Sequence, residues 1–151
     1  MFGIFPDKNL VYIDGELASP ASIVIDEFTE MMNIPLTYWS IDDYKLSWLR
    51  SLEYGLATKK HAVLAVSMYL PENVKFIFAW ILYFHGDKTF IQNKVLFLDE
   101  CEGFTATRIN DFVQPRSTHT EDGIKISEWT IDFGGVIDFY KTLKQWEESR
   151  Q

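Results

Sequence analysis

Three apolar segments in the middle of the chain limit its architecture most. "HAVLAVSMYL", "VKFIFAWILYF" and "TFIQNKVLFL" follow one another from His61, separated only by the turn-formers "PEN" and "HGDK". The first two are apolar at consecutive positions, the pattern of strands covered on both faces. Gly86-Asp87 between the second and third is a two-residue hairpin signal. Connections this short join antiparallel neighbours, because a parallel pair needs a crossover of a dozen residues or more. The centre of the chain is therefore expected to be an antiparallel sheet with something packed on it.

The flanking segments supply that cover. "NLVYIDGELASPASIVIDEF" reads as two further strands, with the turn at either Asp14-Gly15 or Ser19-Pro20. "NIPLTYW" is extended, since Pro35 disfavours helix at Ile34. Ile41, Tyr44, Trp48, Leu49, Leu52 and Leu56 then recur at helical spacing. Ser40 stands as N-cap with Asp43 three positions on, and Gly55 lies near the expected end, giving a helix over 41–57. "TATRINDFV" suits a short helix capped by Thr105, with Ile109, Phe112 and Val113 turned inward. "IKISEWTIDF" reads as a strand splitting Ile124, Ile126 and either Glu128 or Trp129 between its faces. Val136, Phe139, Tyr140, Leu143 and Trp146 form the stripe of a closing helix, entered through Gly134 and Gly135. Trp39-Ser40-Ile41-Asp42 and Trp129-Thr130-Ile131-Asp132 both fall between strands and a helix, an echo that hints at a repeated sheet-plus-helix unit. The reading is one α+β domain over residues 1–151, antiparallel sheet with helices packed against it.

Composition narrows the function classes. Hydrophobic residues make up 47% of the 151, enough for a buried core. One cysteine, Cys101, rules out an internal disulfide and agrees with a reducing compartment. "MFGIFPDKN" lacks the basic start and small-residue cleavage site of a secretory leader, and "FIFAWILYF" is far shorter than the about 20 residues of a spanning helix. A cytoplasmic protein with no membrane role is expected. The net charge of −8 repels phosphate backbones and suits a basic partner. The charge is uneven: residues 99–122 hold six acids against two bases.

No catalytic or cofactor motif stands out. His61, His85 and His119 have no second ligand at a helical metal spacing. Cys101 sits in "DECEG", where neighbouring carboxylates disfavour a thiolate. "RSTHTED", residues 116–122, crowds Ser117, His119, Glu121 and Asp122 into one loop, whereas a triad draws its members from separate, rigid parts of a scaffold. That stretch reads as a displayed loop. No catalytic residue, metal, cofactor or small-molecule substrate is expected. Phe76, Phe78, Trp80, Phe90 and Phe97 are strand aromatics of the kind that stack single-stranded bases, but they read more simply as core.

The segments "MFGIF", "ASIVIDEF", "PLTYWSIDDYKLSWLRSL", "HAVLAVSMYLPENVKFIFAWILYF", "QNKVLFLDECEGF", "INDFV", "KISEWTIDF" and "VIDFYKTL" resemble the immunity proteins of contact-dependent growth inhibition systems. The resemblance is closest to the group paired with toxins that cut small-subunit ribosomal RNA. It implies a cytoplasmic protein that binds the C-terminal nuclease domain of a CdiA toxin and covers its active site. It also implies a Whirly-like fold of antiparallel sheets and helices, although a net charge of −8 argues against Whirly-type nucleic-acid binding.

A nuclease must attract RNA, so carboxylates offered to its cleft would steer association and select the partner. The residues expected to make that contact are Asp99, Glu100, Glu102, Asp111, Glu121 and Asp122, with His119 and Trp129 beside them. A second acidic face would carry Asp14, Glu16, Asp26 and Glu27. A gel-shift titration at physiological salt is expected to show no complex between the purified chain and single-stranded RNA or DNA.

Overall fold

Asp14 and Gly15 take positive φ values of 51° and 81°, so of the two turns open to the first hairpin the chain uses this one. The computed structural model describes residues 1–150; Gln151, last in the expected domain, lies outside them. The first sheet holds β1 (Phe2–Pro6), β2 (Val11–Ile13), β3 (Glu16–Ile25) and β4 (Phe28–Pro35). β3 is central: β1 and β2 share one of its edges and β4 takes the other, all antiparallel. Pro20 lies inside β3 without breaking it. Its carbonyl accepts from the Asp7 amide (2.7 Å), so its missing N–H also faces that edge, where β1 has just ended.

α1 (Ile41–Thr58) begins as its spacing requires. Asp43 N–H donates to Ser40 Oγ (3.2 Å) and Ser40 N–H to the Asp43 carboxylate (2.9 Å), a reciprocal cap. Gly55 does not end the helix; Lys59 does, in the left-handed region. Gly55 instead lets α1 approach β5, because a Cβ there would stand 2.6 Å from the His61 carbonyl oxygen.

The second sheet runs β5 (His61–Ala65), β6 (Phe76–His85), β7 (Lys88–Phe97) and β8 (Trp129–Asp132) in sequence order, all antiparallel. Gly86-Asp87 makes the tight β6–β7 turn, with His85 opposite Lys88. β5 ends sooner than expected, and Val66–Lys75 is a long connection. The strand expected across 124–133 is also shorter. Only Trp129–Asp132 joins the sheet, while Ile126 N–H turns back to Thr118 O (2.9 Å) and Ile124 is 65% exposed. α2 (Phe133–Ser149) follows, with Gly134 and Gly135 in its first turn. Sheet-then-helix does occur twice, but the W-[ST]-I-D echoes differ in role: Ser40 caps a helix, whereas Thr130 pairs with Phe90 inside β8. Among the described residues no helix is long and apolar enough to cross a membrane. The fold is α+β, two four-stranded antiparallel sheets with helices packed against them.

Both sheets contribute to one core cluster, joined through α1. Tyr44, fully buried, accepts from Met68 N–H (2.8 Å) and donates to Pro35 O (2.7 Å), tying the end of β4 to the chain beyond β5. Burial raises its phenol pKa far above the ordinary value, so it stays a donor at every relevant pH. Two side chains close the outer edge of β5. Trp48 Nε1 donates to Ala65 O (2.8 Å), and Asn110 Oδ1 accepts from Val63 N–H (2.9 Å). Asn110 belongs to the 3₁₀ segment Ala106–Phe112, close to the short helix expected there, with Ile109 buried beside it.

The long segment 98–128 covers the face of the second sheet turned away from the helices. Its anchor is Arg116, whose guanidinium lies 3.7 Å from the Phe90 ring centroid and forks onto Glu128. Glu128 also accepts from Gln92 Nε2 (2.6 Å), which donates to Ser117 O as well (2.9 Å). The Arg116 hydrogen bonds hold the Glu128 carboxyl below its ordinary value, against desolvation and with help from Gln92.

These contacts set two expectations for stability. Tyr44→Phe leaves the Pro35 carbonyl and the Met68 amide unpaired, and urea unfolding should register a loss of about 1–3 kcal/mol. Because the Glu128 pKa is depressed on folding, its contribution is complete above the unfolded value and is lost as pH falls through the folded one. Unfolding free energies measured at about pH 7 and about pH 3 should therefore differ less in Arg116→Met than in the parent chain.

Candidate partner-binding surface

The residues expected to meet a partner fall into two groups. Asp99 and Glu100 lie in a 3₁₀ turn, Leu98–Glu100, directly after β7, and Glu102 follows; all three carboxylates are exposed. Cys101 turns the other way. It is buried, its thiol donates to Phe97 O (3.3 Å), and burial followed by the charge of Glu100 pushes its pKa up. The single thiol thus pins the turn that shows the acids. Asp111 is exposed on the next 3₁₀ segment but is ion-paired to Arg108 Nε (2.9 Å).

His119, Glu121 and Asp122 belong to a separate tongue. Thr120 N–H donates to Ile124 O (2.8 Å) and Gly123, at φ 79°, closes the turn onto Thr120 O. Glu121 and Asp122 form its exposed tip. The tongue leaves β7 near Gln92, five positions before Phe97, or about 17 Å along the strand. Ser117 Oγ donates to the backbone carbonyl of His119 (2.8 Å), and the imidazole meets Thr118 Oγ1 (2.9 Å), so serine and histidine are not arranged as nucleophile and base. Trp129 is half-buried between Phe28 (ring centroids 4.6 Å apart) and Trp80 (5.6 Å), where it joins the two sheets. Of the other acids, Asp14, Asp26 and Glu27 sit on the first sheet's turns and Glu16 opens β3, with Asp26 held by the N-terminal ammonium.

The strand aromatics divide, and here the core reading needs correcting. Trp80 is buried, and Phe90 is covered by Arg116. Phe76, Phe78 and Phe97 are instead 37%, 49% and 53% exposed, with Val95 at 37%. Pairing explains the cluster: Phe76 lies opposite Phe97 and Phe78 opposite Val95, which places all four on one face. The same face is buried lower down, at Leu82 and Ile91, where the helices cover it. The boundary is Asn93, exposed opposite Trp80. A polar residue in register with Val95 and Phe97 is the one sequence signal that cover ends there.

A groove of about 380 Å³ adjoins this patch, between β4 and the β6–β7 hairpin, with Met32 on one wall and Phe78 and Trp80 on the other. A second groove, of about 570 Å³, lies between α1 and Ala106–Asp111 and carries Arg50 and Arg108 at its rim. A contiguous aromatic patch bordered by the carboxylates of 99–102 suits a protein surface with apolar and basic character. Among the described residues no three His, Cys, Asp or Glu side chains gather to hold a metal.

Comparison with known proteins bears on this surface. Residues 34–139 match the model of the CdiI N-terminal domain family. The chain is 53% identical over 143 residues to Immunity protein CdiI of Enterobacter cloacae, covering 95% of this chain and 99% of that one. It also superimposes on a chain of the CdiA-CT/CdiI toxin and immunity complex from Enterobacter cloacae, with a TM-score of 0.92 at 52% identity, over 96% of this chain and 99% of the other. With a family match over most of its length and relatives this similar, the chain belongs to the CdiI immunity protein family.

Proposed function

We propose that this chain acts as a single domain in the cytosol, binding the C-terminal toxin domain of a CdiA protein and covering its active site. The observation that carries the reading is the exposed Phe76, Phe78, Val95 and Phe97 face beside the free acids of 99–102. A folded chain leaves such a patch open where a partner closes it. The similarity to the immunity chain of a toxin complex supplies the class of partner. The partner is a basic ribonuclease acting on small-subunit ribosomal RNA: a cleft built to bind phosphates is positive, and this chain carries −8. Contact is made by Asp99, Glu100 and Glu102 around the aromatic centre, with Asp111, His119, Glu121 and Asp122 at the periphery and Trp129, packed between Phe28 and Trp80, beside them.

One observation favours a second reading. Three exposed phenylalanines on a sheet could stack the bases of a single strand. Their surroundings oppose it, since Asp99, Glu100 and Glu102 would repel the backbone.

The test uses the cognate CdiA C-terminal domain. Glu100→Lys, Glu102→Lys and Asp122→Lys together should weaken its binding and flatten the salt dependence, while thermal unfolding stays nearly unchanged. Phe97→Ala should cost about 1 kcal/mol or more of binding energy, as truncation of a central aromatic anchor does. Affinities equal to wild type in both variants would remove this face as the contact.

A further inference from the structure

Glu30 sits in an unusual place. Its register partner on β3 is Ile23, fully buried, and the same face of β4 carries Phe28, Met32 and Ile34. Paired residues of an antiparallel ladder point to one side, so Glu30 lies on the apolar face of the first sheet. It stays exposed because the groove opens in front of it. Across the groove stand Phe78, half exposed, and Trp80, with Asn93 beside them. The only cation along the lining is Lys94, on the opposite face of β7, where its ammonium meets Tyr83 Oη (3.0 Å). Glu30 itself has no ion-pair partner among the described residues.

Such a slot has one fitting occupant. An aromatic wall and a methionine accept an aliphatic stem or the flat face of a guanidinium, and a lone carboxylate at the mouth accepts its N–H donors. We propose that the β4/β6–β7 groove receives one arginine side chain of the toxin domain, held by Glu30 and stacked on Phe78. This rests on the proposed function and deepens it, making Glu30 a specificity-determining residue outside the acidic loops. A carboxylate already placed in an apolar groove rewards a long cation and penalises a carboxylate or a short apolar side chain, so it discriminates among toxins.

The experiment measures affinity for the cognate CdiA C-terminal domain, by calorimetry, against wild type, Glu30→Gln and Phe78→Ala. Each variant should bind at least about tenfold more weakly with unchanged thermal unfolding. An arginine-to-alanine scan of the toxin domain should then find one substitution against which Glu30→Gln costs less than about twofold, the signature of a direct pair. If wild type does not bind the domain, the proposed function fails and this inference with it. If wild type binds and Glu30→Gln is within about twofold, the inference alone is overturned. It is overturned equally if Glu30→Gln keeps its affinity but self-associates, because the carboxylate then serves to keep the β4 edge from pairing.

Discussion

The hydroxyl of Tyr44 is the contact on which the rest of the molecule depends. It reaches from the buried face of α1 to Pro35 at the end of one sheet and to Met68 just past β5 of the other. Neither sheet extends into its neighbour by backbone pairing, so their relation is set by side chains on the helix between them. Trp48, one turn further on, repeats the arrangement at Ala65. A buried phenol and an indole, each directing its polar atom to an open backbone group, give directional links that apolar packing alone lacks.

With the sheets fixed at that angle, the two faces of β6 and β7 meet different fates. One is covered by the segment 98–128, clamped by Arg116 stacked on Phe90 and by the Glu128–Gln92 contacts. The other is covered only partway, by the first sheet and the helices. The gap leaves Phe76, Phe78 and Phe97 in the open, with the groove at its edge. The exposed patch is a geometric result of a hairpin of two ten-residue strands being longer than its cover.

Local signals make much of this legible. Ser40 and Asp43 mark the start of α1 correctly because a cap is read from neighbours in sequence. Gly86-Asp87 marks its hairpin for the same reason. What escapes depends on partners far along the chain. Phe2–Pro6 becomes a strand by pairing with Ala21–Ile25, and nothing within five residues announces that. Ile124 and Ile126 alternate like a strand but fold back on Thr118 and Thr120, in a loop whose ends Arg116 and Glu128 hold together. The strand phenylalanines read as core because alternation tells which face a residue takes, not whether anything lies above it. The acids of 99–102 are legible as an exposed cluster, but Glu30 is hidden in a strand whose pattern alone does not show which side is buried.

The turn that carries Asp99, Glu100 and Glu102 is tethered on both sides. Cys101 holds it to the end of β7, and Asn110 stitches the following segment to β5. Carboxylates mounted on so stiff a bracket lose little freedom when something settles against them. A visiting surface must match their spacing as it stands, which turns the rigidity of a small loop into a filter on shape.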